Sequence, residues 1–137
     1  MSNNDNTNSV KILSPYILLQ PYQNGITISK DVVKCLGFPT HICLRINEIT
    51  NSFAIIPCEQ DDVMSFKVPE KLLTDNHCVF RIHSKRFMLN LILKYDLDIK
   101  NVYTCKGIYS QKLNAVIFSL EQENLQIGNT IMAGKNN

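Results

Sequence analysis

The 137-residue sequence contains no tryptophan, only five glycines and five prolines, and almost no excess of charge. The few glycines and prolines exclude a collagen-like or low-complexity chain, and the 45% of hydrophobic residues excludes a wholly disordered one. Fourteen Lys and Arg against twelve Asp and Glu leave a net charge of +2, which neither indicates nor excludes nucleic-acid binding. The composition therefore predicts a soluble globular protein.

Long apolar runs and paired metal ligands are also missing. No segment reaches the roughly 20 apolar residues of a membrane span, and the first residues do not look like a secretory signal, so we expect a cytoplasmic protein without a membrane partner. The five cysteines are odd in number and widely spaced, and we interpret them as reduced core residues. The closest histidine–cysteine pairings, His41 with Cys43 and His77 with Cys78, match no recognised zinc pattern, so we expect no metal.

The two ends of the chain are poor in side chains that could anchor them. Residues 1–15 are expected to form a flexible N-terminal tail and residues 123–137 a flexible C-terminal tail, because neither buries enough apolar surface to offset the cost of ordering. Residues 16–122 are then expected to form a single domain.

Within that domain one pattern occurs twice: a strand, a helix with serine at its N-cap, and two strands joined by a hairpin. The first copy spans residues 25–58, where Ser29 precedes the helix and Gly37 ends it. The second copy spans residues 79–120, with Ser84 before a longer helix. Apolar and polar residues alternate in the first strand of each copy, as in a half-buried strand.

Residues 59–78 join the two copies. They begin with an acidic run that we interpret as a solvated linker, followed by a short strand at Phe66 and Val68 and a helical turn at Pro69. A unit of about 35 to 40 residues is too small to be stable by burial alone, whereas two units can share one interior. We therefore predict an α+β fold, in which two strand-helix-hairpin units form a small barrel-like antiparallel sheet with short helices.

The sequence of residues 25–37, GITISKDVVKCLG, resembles the swapped-hairpin proteins of the AbrB, MazE and MraZ superfamily. In that superfamily a strand leads into a short helix ending in Leu-Gly, two further strands complete the unit, and two units interleave into a barrel. MraZ-like proteins carry both copies in one polypeptide. The resemblance covers residues 25–57, with a weaker similarity over residues 79–120, and it implies a tandem barrel that binds DNA.

The sequence departs from the family pattern in and after the first strand. The family commonly has proline at the position of Ser29 and a Gly-Asp step before the next strand, where this chain reads Phe-Pro-Thr-His from Phe38. The DNA-binding members place arginines around the first strand, where this chain has Gln23, Asn24 and Thr27. A DNA-binding surface would therefore have to use other basic residues.

Basic residues gather near the starts of the two predicted helices. Backbone N–H groups lack partners at a helix start, and such places attract phosphate oxygens. The alternative is an ordinary solvated surface, since Lys and Arg lie outside in any case. The candidate nucleic-acid-binding residues are Lys30, Lys34, Arg45, Arg81, Lys85 and Arg86.

The second predicted helix has an apolar arc that is wider than a surface helix needs. At about 100° per residue, Leu89 and Leu93 fall outside the face formed by the other apolar residues. Either this helix is buried on most of its sides, or Leu89 and Leu93 belong to a protein-binding or self-association surface.

No catalytic signature is present: the sequence has no Gly-x-Ser-x-Gly, His-Glu-x-x-His, Walker or dinucleotide-binding pattern. We interpret His41, His77 and His83 as surface or turn residues, because none has an identifiable catalytic partner. The prediction is a non-enzymatic binding protein without a cofactor.

Two functions remain open at this point. The first is an AbrB-like transcriptional regulator that binds duplex DNA. The second is a small inhibitor, encoded by a phage or mobile element, that blocks a host enzyme such as a defence nuclease through a surface including Leu89 and Leu93. The weak net charge, the missing family arginines and the wide apolar helix motivate the second function, but the first is the preferred prediction. A homo-oligomer is compatible with both.

Overall fold

The computed structural model describes residues 12–60, 64–74 and 76–127. Its strands are β1 (Tyr16–Gln20), β2 (Gly25–Ser29), β3 (His41–Asn47), β4 (Ser52–Pro57), β5 (Ser65–Lys67), β6 (Val79–His83), β7 (Tyr103–Ser110), β8 (Ala115–Ser119) and β9 (Gln126–Ile127). Its helices are α1 (Lys30–Cys35), α2 (Lys85–Tyr95) and the short 3-10 helices Pro21–Gln23, Glu70–Leu73 and Gln122–Asn124.

The strands form one antiparallel sheet that curls into a nearly closed, barrel-like domain. Eight strands follow the order β5-β3-β4-β8-β7-β1-β2-β6, and β9 pairs with β7. The expected barrel-like antiparallel sheet is therefore confirmed. The label α+β fits only loosely, because strands dominate and the described residues form only two α-helices.

The core fills the inside of the curled sheet. Ile26 of β2 lies directly opposite Ile82 of β6, and both side chains are buried. Successive side chains of a strand point to opposite faces, so the alternating apolar residues of each strand meet inside. Ile26, Leu44, Phe80 and Phe118 all belong to one apolar cluster, which means that both halves of the chain share a single interior.

The two helix-preceding serines have different roles. Ser84 Oγ accepts a hydrogen bond from the Phe87 N–H at 3.2 Å, which confirms it as the N-cap of α2. Ser29 occupies the cap position of α1 without a capping bond, and instead its Oγ accepts from the Tyr16 N–H at 3.0 Å. The expected cap function of Ser29 is therefore wrong, because this side chain fastens β2 to β1.

One glycine permits the closest packing in the barrel. A Cβ on Gly107 of β7 would lie 2.6 Å from the Phe118 ring and 2.7 Å from Val116. The Phe118 ring in turn stacks on Phe53 with 5.0 Å between centroids. Only glycine leaves room for these side chains where β7, β8 and β4 lie side by side.

The cysteines do not all belong to the core. Cys43 and Cys105 are buried, as expected, whereas Cys78 is exposed and contradicts the core interpretation. Burial raises the pKa of the Cys105 thiol to about 12. The pKa of Cys35 is raised by burial and, secondly, by the Asp31 carboxylate.

Ordered structure is found where the sequence indicated none. β1 and a 3-10 helix lie within residues 16–24, where no element was expected. The Gly107 N–H donates to the Pro15 carbonyl at 2.8 Å, so the pairing of β1 with β7 extends into the expected N-terminal tail. In the expected C-terminal tail, β9 pairs with β7, and residues 1–11 and 128–137 of the two tails lie outside the described residues.

Candidate functional site

The antiparallel pair of β2 and β6 positions most of the predicted basic residues. Hydrogen bonds extend this pair beyond both strands: the Lys30 N–H donates to the Cys78 carbonyl at 2.7 Å, and the Ser84 N–H donates to the Asn24 carbonyl at 3.0 Å. Lys30 therefore marks one end of the pair, and Lys85, which follows Ser84, marks the other. The helices α1 and α2 begin at these opposite ends.

Arg81 lies at the centre of the pair, directly opposite Thr27, and is exposed on the outer face. Its Nε donates to Thr27 Oγ1 at 3.5 Å, and Thr27 Oγ1 donates to Gln20 Oε1 at 3.0 Å. These two hydrogen bonds hold the arginine against the outer surface of the sheet. This contact could not be predicted from the sequence, because it depends on the register between strands far apart in the chain.

The cations at the two ends differ in accessibility. Lys85 and Arg86 are exposed in the first turn of α2. Lys30 and Lys34 of α1 are half-buried, and Lys30 Nζ donates to the Thr74 carbonyl at 3.1 Å. The end at α2 is therefore the more accessible of the two for a phosphate.

These five cations form what we call the basic strip. Lys30 lies opposite Cys78, six residues before Ser84, so the ends of the strip are about 20 Å apart at roughly 3.4 Å per strand residue. That length matches about six base pairs of B-DNA at roughly 3.4 Å each. The members of the basic strip are Lys30, Lys34, Arg81, Lys85 and Arg86.

Arg45 does not lie with the basic strip. It projects from β3 opposite Ala54 of β4, and β5 lies next to β3 on the side towards β6. Arg45 lines an open groove of about 840 Å³ between the β3–β4 turn and the β7–β8 loop. The groove was not predicted from the sequence, and its apolar lining residues are Ile46, Ile49, Phe53, Ala54, Leu113 and Ile117.

Leu89 and Leu93 are 49% and 73% exposed, so the alternative of a helix buried on most of its sides is wrong. They lie one turn apart on the outer face of α2. An ion pair of 3.0 Å joins Lys94 of α2 to Glu48 of the β3–β4 turn, and the neighbouring Ile49 is 93% exposed. The exposed apolar residues of α2 and of this turn therefore belong to one side of the domain.

Carboxylates gather at the other end of α2. Asp96 and Glu121 line one pocket of about 310 Å³, and Asn51 Nδ2 donates to Glu121 Oε2 at 3.0 Å. Lys94 lines the same pocket, so this end of α2 carries charges of both signs. Ten residues separate Arg86 from Asp96, which places these carboxylates about 15 Å along the helix from the basic strip. Asp61 and Asp62 lie outside the described residues.

The strands β5 and β6 are the two ends of the strand order in the nearly closed sheet, and we call the space between them the seam. β5 pairs only with β3, β6 pairs only with β2, and the described residues contain no pairing between β5 and β6. Lys67 of β5 and Arg81 of β6 are exposed on the two sides of the seam. Lys67 was not among the predicted nucleic-acid-binding residues, because a three-residue strand gives little periodicity.

The histidines do not form a cluster with other ligating groups. His41 Nδ1 hydrogen-bonds Thr40 Oγ1 at 3.0 Å, and His83 is exposed. The buried Nδ1 of His77 has no partner among the residues that the structure describes. Within those residues no three His, Cys, Asp or Glu side chains could hold a metal ion together, and no helix is long and apolar enough to cross a membrane.

Comparison with protein-family models, with curated proteins and with solved structures gives no match to this chain. The basic strip and the exposed leucines of α2 are the surfaces of the described chain that bear on its function.

Proposed function

We propose that this chain is a non-enzymatic, AbrB-like transcriptional regulator that binds duplex DNA through the basic strip. One observation carries the proposal: Arg81 lies midway between the cations that mark the two ends of the β2·β6 pair. Cations at the centre of a strand pair and on the helices that begin at its two ends can contact successive phosphates, and such contacts supply most non-specific affinity for DNA.

We also propose that the barrel consists of two copies of one unit related by an approximate twofold axis. The register supports this arrangement on both sides of the barrel. The β2·β6 pair is centred on Thr27 opposite Arg81, and Lys30–Cys78 and Ser84–Asn24 are then counterparts. In the β4·β8 pair Ala54 lies opposite Ile117, and each is the third residue of its strand.

The proposed unit is longer than strand, helix and hairpin. In the first copy β1 and the 3-10 helix Pro21–Gln23 precede β2, and in the second β5 and the 3-10 helix Glu70–Leu73 precede β6. β1 pairs with β7 and β5 pairs with β3, which are counterparts in this arrangement. The twofold relation explains why the basic strip has a cationic helix start at each end.

The binding of fluorescently labelled 20-base-pair duplexes, followed by anisotropy, tests the DNA proposal. About four phosphate contacts predict a loss of affinity on the order of 100-fold between 50 and 200 mM salt. Arg81→Glu and Lys85→Glu should each weaken binding at least tenfold. Lys112→Glu is the matched control, because Lys112 is exposed in the β7–β8 loop and belongs to no part of the basic strip.

Two results would contradict this function. One is the absence of binding to any duplex at low salt. The other is an equal loss of affinity in Lys112→Glu and Arg81→Glu, which would indicate a response to overall charge. Circular dichroism of each variant verifies that the fold is retained.

A second candidate function is inhibition of a protein partner through α2, and the exposure of Leu89 and Leu93 favours it. Two leucines one turn apart give a partner an apolar contact that salt hardly weakens. Capture of a partner from nuclease-treated host lysate should be lost in Leu89→Lys and Leu93→Lys and retained in Asn90→Lys, which changes a polar residue on the same helix. Unchanged capture by both leucine variants would reject this role.

A further inference from the structure

The outer edge of β6 has unpaired backbone groups. In an antiparallel pair, alternate residues of each strand hydrogen-bond to the partner. Cys78 and Ser84 bond to the β2 side, so Val79, Arg81 and His83 turn their N–H and C=O groups towards the seam. All three residues are exposed, and no strand of the described chain pairs with them.

Two features explain why β5 does not close onto β6. Five residues separate the 3-10 helix Glu70–Leu73 from β6, whereas one residue separates Pro21–Gln23 from β2, so β5 is less tightly tethered to its neighbour. Pro69 follows β5 at the seam and has no N–H to donate. The unpaired backbone groups of β6 are therefore available to pair with another strand.

We propose that this edge of β6 binds an extended, acidic peptide segment of a protein partner, which adds to the sheet antiparallel to β6. This site shares Arg81 with the basic strip, but it does not depend on DNA binding. Charge identifies the occupant: residues 64–86 carry five Lys or Arg and two carboxylates, those of Glu70 and Asp75, and Lys67 and Arg81 are both exposed. Antiparallel addition follows from the rest of the sheet, in which each strand pair is antiparallel.

A second copy of the chain fits this edge poorly. Two β6 strands paired about their centres would place Arg81 opposite its own counterpart, and like charges directly opposite each other destabilise a strand pair. Charged residues on edge strands commonly prevent such self-pairing. A strand with glutamate or aspartate opposite Arg81 has the complementary charge at the same place.

Amide hydrogen exchange of the full chain, with and without a peptide probe, tests the site. The probe is a labelled, end-blocked peptide Thr-Glu-Val-Glu-Val-Glu-Thr, and its control replaces each Glu with Lys. In the free protein the amides of Val79, Arg81 and His83 should exchange quickly, while those of Phe80 and Ile82 are protected by β2. The acidic probe should slow exchange at the first three positions.

Two matched variants separate backbone pairing from general charge attraction. Val79→Pro removes one N–H from the seam and leaves the β2 bonds intact, so the affinity for the acidic probe should fall roughly fivefold. Val79→Thr retains the N–H and should bind as the native chain does. Arg81→Gln should weaken the acidic probe without creating affinity for the lysine probe.

The proposal is overturned if these three amides are already protected in the free protein, because the seam is then closed. It is overturned if the lysine probe binds as well as the acidic one, or if Val79→Pro binds like Val79→Thr. Protection that grows with protein concentration and accompanies dimer formation would assign the edge to a second copy. Failure of DNA binding leaves these readouts unaffected, so the two proposals fail separately.

Discussion

The strands β1 and β5 are counterparts in the proposed two-unit arrangement, yet only β1 is paired on both edges. Ile17 of β1 lies between Cys105 of β7 and Ile28 of β2. Phe66 of β5 lies beside Ile42 of β3 and has no strand on its other side within the described chain. The same order of elements has therefore produced one closed junction and one open seam.

The β1–β2 junction and the β5–β6 seam differ in the contacts that hold the two strands together. The Ser29–Tyr16 hydrogen bond and a one-residue connection hold β1 against β2, whereas the connection from the second 3-10 helix to β6 is longer. Burial follows closure, since Ile17 is completely buried and Phe66 only partly. Both proposed binding surfaces that use Arg81 lie at the open side, where backbone and charge remain accessible.

Proline substitutions should give the largest difference in stability between variants of β1 and variants of β5. Leu18 bonds through its backbone to β2, since its neighbours Ile17 and Leu19 bond to β7. Leu18→Pro removes that donor and should cost about 3 kcal/mol or more in the free energy of unfolding. The backbone N–H of Lys67 points towards the seam and not towards β3. Lys67→Pro should therefore lower the free energy of unfolding by less than about 1 kcal/mol.

Urea denaturation at neutral pH measures both values. An equal loss in the two variants would mean that Lys67 is also paired across the seam, and the contrast between β1 and β5 would then be wrong. Leu18→Thr and Lys67→Thr are the matched controls, because each retains the backbone N–H.

Truncation to alanine of Ile17 and Phe66, which are counterparts in β1 and β5, should also lower the stability by different amounts. Ile17→Ala deletes a fully buried side chain between two paired strands and should cost about 3 kcal/mol. Phe66→Ala removes a larger side chain from the open seam and should cost about 1.5 kcal/mol, because solvent already reaches part of it. Thermal and urea denaturation would contradict this expectation if the phenylalanine variant lost more stability than the isoleucine variant.

Much of the fold could be predicted from local sequence signals. Alternating apolar residues, Ser84 and Gly37 indicated strands and helices over residues 25–57 and 79–120, because these signals depend only on neighbouring residues. β1 was missed since its run of Ile17, Leu18 and Leu19 has no polar alternation, and its position depends on pairing with β7 far along the chain. Whether β5 closes onto β6 depends equally on distant contacts.

For the candidate site, the sequence predicted which residues are basic and exposed, but not how they are arranged. Lys85 and Arg86 are exposed near a helix start, as long charged side chains at such a place usually are. Their alignment with Arg81, and the separation of Arg45 from both, depend on the order and register of the strands. Neither can be derived from the spacing of residues along the chain.

Ionisation of Cys105 should give the smallest effect, confined to alkaline pH. Burial holds the pKa of this β7 thiol at about 12 in the folded chain, above its ordinary value of about 9, while its counterpart Ile42 cannot ionise. Between these values the unfolded chain loses the proton and the folded chain keeps it, so the stabilisation present below pH 9 is progressively lost towards pH 12. At pH 10 the free energy of unfolding of the native chain should be about 1 kcal/mol lower, relative to that of Cys105→Ala, than it is at pH 8. Urea denaturation from pH 8 to 10 measures both values. Parallel curves for the native chain and Cys105→Ala would contradict this expectation, because they would show that the closed junction does not exclude solvent from this thiol.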